Sequence, residues 1–122
     1  MHGLVLAIPA LIGASACGSA GGEPYRAVPG GNPGRGAVAL KTYGCGACHV
    51  IPGIGGADGM VGPPLTAFGR RTIIAGELTN SEDNLIRWIQ HPQGVIPGNV
   101  MPDLGVTAQD ARDIAAYLYT LK

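Results

Sequence analysis

Charge is missing from the first 22 residues of the chain, which hold no Lys, Arg, Asp or Glu. Aromatic side chains are scarce throughout its 122 residues: one Phe, one Trp and four Tyr. Neither sign of charge is in excess, with eight basic residues against eight acidic. Such a balance, interspersed after position 22, offers no electrostatic footprint for nucleic acid. The apolar run from Leu4 to Ala16 falls short of the roughly 20 residues that a membrane-spanning helix needs. Length allows one domain. With few aromatics, 21 Gly and 10 Pro, a core built from side chains alone is thin for that size. A large flat apolar cofactor would fill it.

The uncharged N-terminus has the form of an export signal over residues 1–16: an apolar stretch too short to span, ending in the small residues Ala14, Ser15 and Ala16 before a cleavage point. Pro9 and interrupting glycines argue against a buried helix there. Cys17 follows, and Ala14-Ser15-Ala16-Cys17 is similar to the lipobox of bacterial lipoproteins, with Ala14 where Leu is usual. Two processing routes remain open, plain cleavage and lipidation of Cys17, and both imply a periplasmic location. From Gly18 to Pro33 the sequence is dense in helix breakers. It reads, with Cys17, as a flexible tether over 17–33. As a coil it would reach roughly 20 to 25 Å. The folded domain is expected from residue 34 to residue 122.

A short helix is expected over Gly34 to Tyr43, with Ala37, Val38 and Leu40 available for its buried face. Directly after it stands Cys45-Gly46-Ala47-Cys48-His49. Two thiols three residues apart on a helical turn lie on one side of it. There they can add across the two vinyl groups on one porphyrin edge, while the adjacent imidazole reaches the iron. A zinc half-site would need further ligands, but the remaining Cys is Cys17 in the export segment and His91 stands alone. A redox dithiol would sit between a strand and a helix in an alternating pattern, and none is visible. The motif therefore points to one covalently bound c-type haem, with its iron held by His49. Further along, Glu82 to Gln90 forms an amphipathic helix entered at Ser81. A last helix is capped by Thr107, with Asp110 three residues on and Ala111, Ile114, Ala115, Leu118 and Leu121 at helical spacing.

Taken together, these segments resemble the class I cytochromes c over nearly all of residues 34–122. The segment Gly62-Pro63-Pro64-Leu65-Thr66-Ala67-Phe68-Gly69-Arg70-Arg71-Thr72 is similar to the one that follows the proximal ligand in that family. The resemblance implies that the Pro63 carbonyl accepts the second N–H of His49, that Leu65 touches the haem face and that Arg70 approaches a propionate. Ile96-Pro97-Gly98-Asn99-Val100-Met101-Pro102 looks like the family's distal loop. It implies Met101 as the second iron ligand, with Met60 the lesser candidate, and Trp88 and Ile89 lining the distal pocket. Gly36 and Tyr117 resemble the small and aromatic pair at which the first and last helices cross. The sequence lacks the long loop and buried Trp that larger members place beside the propionates. It also lacks a dense Lys ring around the haem motif, so docking to a strongly acidic partner is not implied.

The implied fold is all-α, about three main helices and loops wrapped round one haem. The implied function is one-electron transfer, with redox protein partners in a respiratory chain and no substrate chemistry of the chain's own. Two alternatives stay open. The chain would be a fixed haem c subunit of a dehydrogenase or terminal oxidase, or, if Met101 does not bind iron, a peroxidase or gas-binding protein.

Overall fold

The computed structural model describes residues 26–122. The expected signal segment, Cys17 and the tether up to residue 25 lie outside them. Helix α1 (Pro33–Thr42) opens on Asn32, whose side chain accepts the Arg35 amide, and on a proline at its first position. It ends before Gly44, which has a positive φ of 72°. Helix α2 (Glu82–Gln90) is capped by the Ser81 hydroxyl and carries Glu82 and Asp83 in its first turn. The short helix α3 (Pro92–Val95) follows at once. Helix α4 (Ala108–Leu118) is capped by Thr107, which accepts the Asp110 amide. The fold is all-α in its main elements, as expected.

α1 lies across α4. A β-carbon on Gly36 would stand 2.1 Å from the Asp113 carbonyl oxygen and 3.0 Å from the Tyr117 Cβ, so the crossing is as close as two backbones allow. The face of α1 that meets α4 is Gly36, Ala39 and Leu40, and Val38, expected to be buried, is 64% exposed. The helical turn that aims Gly36 at α4 carries Val38 away from it. Ala111, Ile114, Ala115 and Leu118 of α4 are buried as their spacing requires, and Leu85 and Ile89 of α2 join them in the core.

Two further features depart from the sequence reading. The first is that residues 26–32 are packed rather than free: Val28 is buried, the Arg26 guanidinium sits 4.2 Å from the Tyr119 ring centroid and it donates to the Asn80 carbonyl at 2.5 Å. The expected tether to residue 33 is therefore too long at its C-terminal end. Apolar burial and two polar contacts outweigh the Pro- and Gly-rich composition there. The second is a two-stranded hairpin, β1 (Ile73–Ile74) and β2 (Leu78–Thr79), turned through Ala75 and Gly76, both at positive φ. It leads into Asn80, whose buried side chain accepts from the Tyr119 hydroxyl at 3.0 Å and donates to the Arg71 carbonyl at 2.9 Å. The chain end is thereby tied to the loop that leaves the candidate site.

Candidate haem site

Cys45 opens a single 3-10 turn (Cys45–Ala47), and Cys48 closes it, its amide returning to the Cys45 carbonyl. The turn is clamped from outside by residues 57–59. A β-carbon on Gly46 would meet Ala57 at 2.7 Å, one on Gly59 would meet the Ala47 carbonyl oxygen at 2.2 Å, and the Gly59 amide donates to the Gly46 carbonyl at 3.0 Å. Glycine at 46 and 59 is thus required by space. Both thiols are free and half-buried. Burial above all, with Cys48 adding, pushes the Cys45 thiol up. Thiols activated as redox nucleophiles are shifted the opposite way, so Cys45 lacks the environment of a reactive thiolate. Among the described residues no set of three His, Cys, Asp or Glu side chains forms a metal cluster.

His49 is oriented by the loop that follows. Its Nδ1 lies 2.7 Å from the Pro63 carbonyl oxygen. A carbonyl can only accept, so the bond places the proton on Nδ1 and leaves the Nε2 lone pair for a metal. The loop is pinned on both sides of Pro63: the Gly62 amide donates to the Cys48 carbonyl at 2.7 Å and the Leu65 amide to the Val50 carbonyl at 2.8 Å. Leu65 is buried. Arg70 is exposed, and it is the neighbouring Arg71 that reaches back to the loop. Its guanidinium donates to the Pro64 and Thr66 carbonyls and lies over the Phe68 ring at 5.3 Å. The sequence reading missed Arg71; adjacent arginines carry no signal that separates them.

The distal loop owes its shape to side-chain amides as well as to prolines. The Asn99 Oδ1 accepts the Met101 amide at 2.7 Å, an Asx turn, while its Nδ2 donates to the Ile96 and Pro92 carbonyls at 2.7 and 2.9 Å. Gln93 donates to the carbonyls of Asn99 and Met101 at 2.7 and 2.8 Å and accepts the Gly98 amide at 3.1 Å. Met101 is half-buried in this net, whereas Met60 is 91% exposed. Trp88 is half-buried and Ile89 buried. Val61 before Pro63 and Val100 beside Met101 are 67% and 80% exposed, which leaves apolar surface in both loops. Two thiols on one turn, placed to join a porphyrin edge, an imidazole with its outer nitrogen satisfied and a braced methionine loop form a set of residues that fits a covalently attached haem.

An all-α chain carrying that set defines a class I c-type cytochrome. The chain belongs to the Cytochrome c family, whose model matches residues 34–122, and membership implies a haem iron centre that transfers electrons. It is 39% identical over 89 residues to cytochrome c oxidase subunit 2 of Alkalihalophilus pseudofirmus, covering 72% of this chain and 25% of that protein. It is 33% identical over 88 residues to cytochrome c oxidase subunit 2 of Bacillus sp. (strain PS3), covering 69% and 25%. With the same subunit of Bacillus subtilis it shares 30% over 82 residues, covering 66% and 23%. The chain thus spans about a quarter of the length of these relatives. No helix among the described residues is long and apolar enough to cross a membrane.

Proposed function

We propose that this chain is a one-electron carrier with a single haem joined to Cys45 and Cys48 by thioethers, its iron bound by His49 and Met101. The haem supplies the one-electron couple; the chain supplies its ligands and surroundings. The observation that carries the reading is the bond from His49 Nδ1 to the Pro63 carbonyl, which leaves the Nε2 lone pair of the residue next to Cys48 for iron. Met101, a neutral soft ligand, raises the potential. Leu65, Trp88 and Ile89 keep water from the haem faces, and Arg70 approaches a propionate. Acid-acetone extraction tests the attachment. The expected result is haem retained on the polypeptide, with mass raised by one haem, and free haem in the organic phase would overturn it.

A second reading concerns the partner. Identities of 30–39% to relatives named cytochrome c oxidase subunit 2 favour a respiratory oxidase as electron acceptor, with the chain acting as a mobile donor or as a fixed haem c subunit. A dehydrogenase donor is compatible with either. Export through residues 1–16 and acylation of Cys17 would hold the domain at the periplasmic face of a membrane. Purification from native membranes tests this: an oxidase that co-purifies through detergent exchange marks a fixed subunit.

A further inference from the structure

We propose that Gln93 is the positioning residue for the Met101 sulfur and so decides how seldom the sixth position of the iron opens, an inference that rests on the reading of Met101 as iron ligand. Between Ile96 and Pro102 the chain forms no helix or strand. Its one backbone bond to itself, among the described residues, runs from the Asn99 amide to the Ile96 carbonyl at 3.3 Å. A segment with so few backbone bonds opens easily unless other groups hold it. Gln93 holds it. Its two side-chain amide protons go to the Asn99 and Met101 carbonyls at 2.7 and 2.8 Å, and its side-chain carbonyl accepts the Gly98 amide at 3.1 Å. One side chain thus uses both of its donors and its acceptor on a single loop.

Both peptide groups that flank the Met101 Cα are fixed in this way. The Asn99 Oδ1 accepts the Met101 amide at 2.7 Å and Gln93 donates to the Met101 carbonyl at 2.8 Å, which leaves the side-chain torsions as the freedom of the sulfur. Gln93 is itself a firm base. It follows Pro92, which is fully buried, and its own backbone amide donates to the Asp103 carboxylate at 3.1 Å, two residues beyond Met101. The loop is therefore gripped before and after Met101 by one residue of α3, while Val100, between the two gripped carbonyls, is 80% exposed. A ligand whose backbone is ordered beforehand loses little entropy on reaching the iron. The open fraction falls accordingly, and an iron kept closed passes electrons without binding gases or peroxide.

Carbon monoxide titration of the ferrous, haem-loaded full chain tests this, because the apparent affinity rises in proportion to the fraction of iron whose sulfur is off. Gln93→Met keeps the length of the side chain and none of its hydrogen bonds, and it should raise the apparent affinity at least about tenfold. Hydrogen exchange at the Gly98 amide should quicken in the same variant. Gln93→Glu keeps the acceptor for Gly98 but has no proton at neutral pH for the Asn99 and Met101 carbonyls. It should bind carbon monoxide at least as tightly as Gln93→Met, with Gly98 still protected. Arg35→Gln removes the ion pair with Asp113 at 2.8 Å and lowers stability without touching the loop, so its apparent affinity should stay within about twofold of the parent. If both Gln93 variants match the parent, or if Arg35→Gln opens the iron as far as they do, the positioning role is overturned. The near-infrared sulfur-to-iron band separates this inference from the ligand assignment. Where the parent shows the band and Met101→Ala lacks it, failure of the Gln93 variants counts against Gln93 alone; a parent without the band overturns both.

Discussion

The Pro63 carbonyl accepts the His49 Nδ1 proton at 2.7 Å, and Gly62, one residue earlier, stands so close to the same ring that a β-carbon there would lie 2.4 Å from Cε1. One loop thus sets both the tautomer and the tilt of the imidazole. Gly62→Ala should push the ring or the loop away and destabilise the holo-protein by about 1–3 kcal/mol, the usual cost of overpacking. Gly55, where a β-carbon meets nothing within 4 Å, should accept Ala within about 0.5 kcal/mol. Thermal melts followed at the Soret band decide it. Equal melting of the two variants would mean that the loop does not press on His49.

The α1–α4 crossing should be the least tolerant packing contact. A methyl on Gly36 meets the Asp113 carbonyl oxygen at 2.1 Å, and neither helix backbone can yield without separating. Gly36→Ala should cost at least about 3 kcal/mol by overpacking. Val38→Ala, at a position 64% exposed, should change stability by no more than about 0.5 kcal/mol. Denaturant melts of the holo-protein give both values, and a Gly36→Ala protein as stable as the parent would show that the helices have room to part.

Asp113 is buried within α4 and accepts from Arg35 Nε at 2.8 Å, from the Asn32 amide at 2.8 Å and from Gln109 at 3.0 Å. The Arg35 hydrogen bond above all holds its carboxyl below the usual carboxylate range, against the opposing effect of burial. A folded pKa lower than the unfolded one contributes stability that is complete above the unfolded value of about 3.9 and is lost as pH falls through the folded value. Asp113→Asn should therefore cost about 2 kcal/mol at neutral pH, and less in acid. Chemical denaturation at pH 7 and pH 3 measures the difference between parent and variant, and a gap that does not narrow in acid would contradict the linkage.

If Met101 binds the iron, the ferric protein should show a weak near-infrared sulfur-to-iron band and the ferrous protein should bind little carbon monoxide. Met101→Ala should abolish the band, open the iron to carbon monoxide and lower the potential, within the range of about 0.8 V that axial ligands command. Asn99→Ala removes the acceptor of the Met101 amide and the donor to Ile96 and Pro92. It should bleach the band at lower temperature than in the parent while leaving it intact in the cold. An unaltered spectrum in Met101→Ala would redirect the assignment to Met60. Ready carbon monoxide binding and peroxide turnover by the wild type would favour the peroxidase or gas-binding alternative.

Much of the fold was legible because its signals are local. The Ser81 and Thr107 caps act over three residues, and both helices begin where those side chains place them. The Cys45, Cys48, His49 spacing likewise states its chemistry within one turn. The Asx turn at Asn99 was equally local and could have been read from an Asn after Pro-Gly.

What the sequence by itself determined is the set of groups that act over a few residues: the caps, the cysteine pair with its adjacent histidine and the apolar spacing of α4. Tertiary structure alone decided the rest, because each remaining feature depends on partners far apart in the chain. Composition marks residues 26–33 as a free coil, yet Arg26 lies against Tyr119 and Asn80, 93 and 54 positions away. Helical spacing offers Val38 for burial, yet the fit of Gly36 to Asp113 turns it outward. Arg70 and Arg71 are equivalent as letters, and only the folded loop brings the Pro64 and Thr66 carbonyls to Arg71. Local signals survive in sequence because their energy is set by neighbouring residues. The packing of residues 26–32, the α1–α4 crossing and the hold of Arg71 on its loop exist only once distant segments have paid the entropy of meeting.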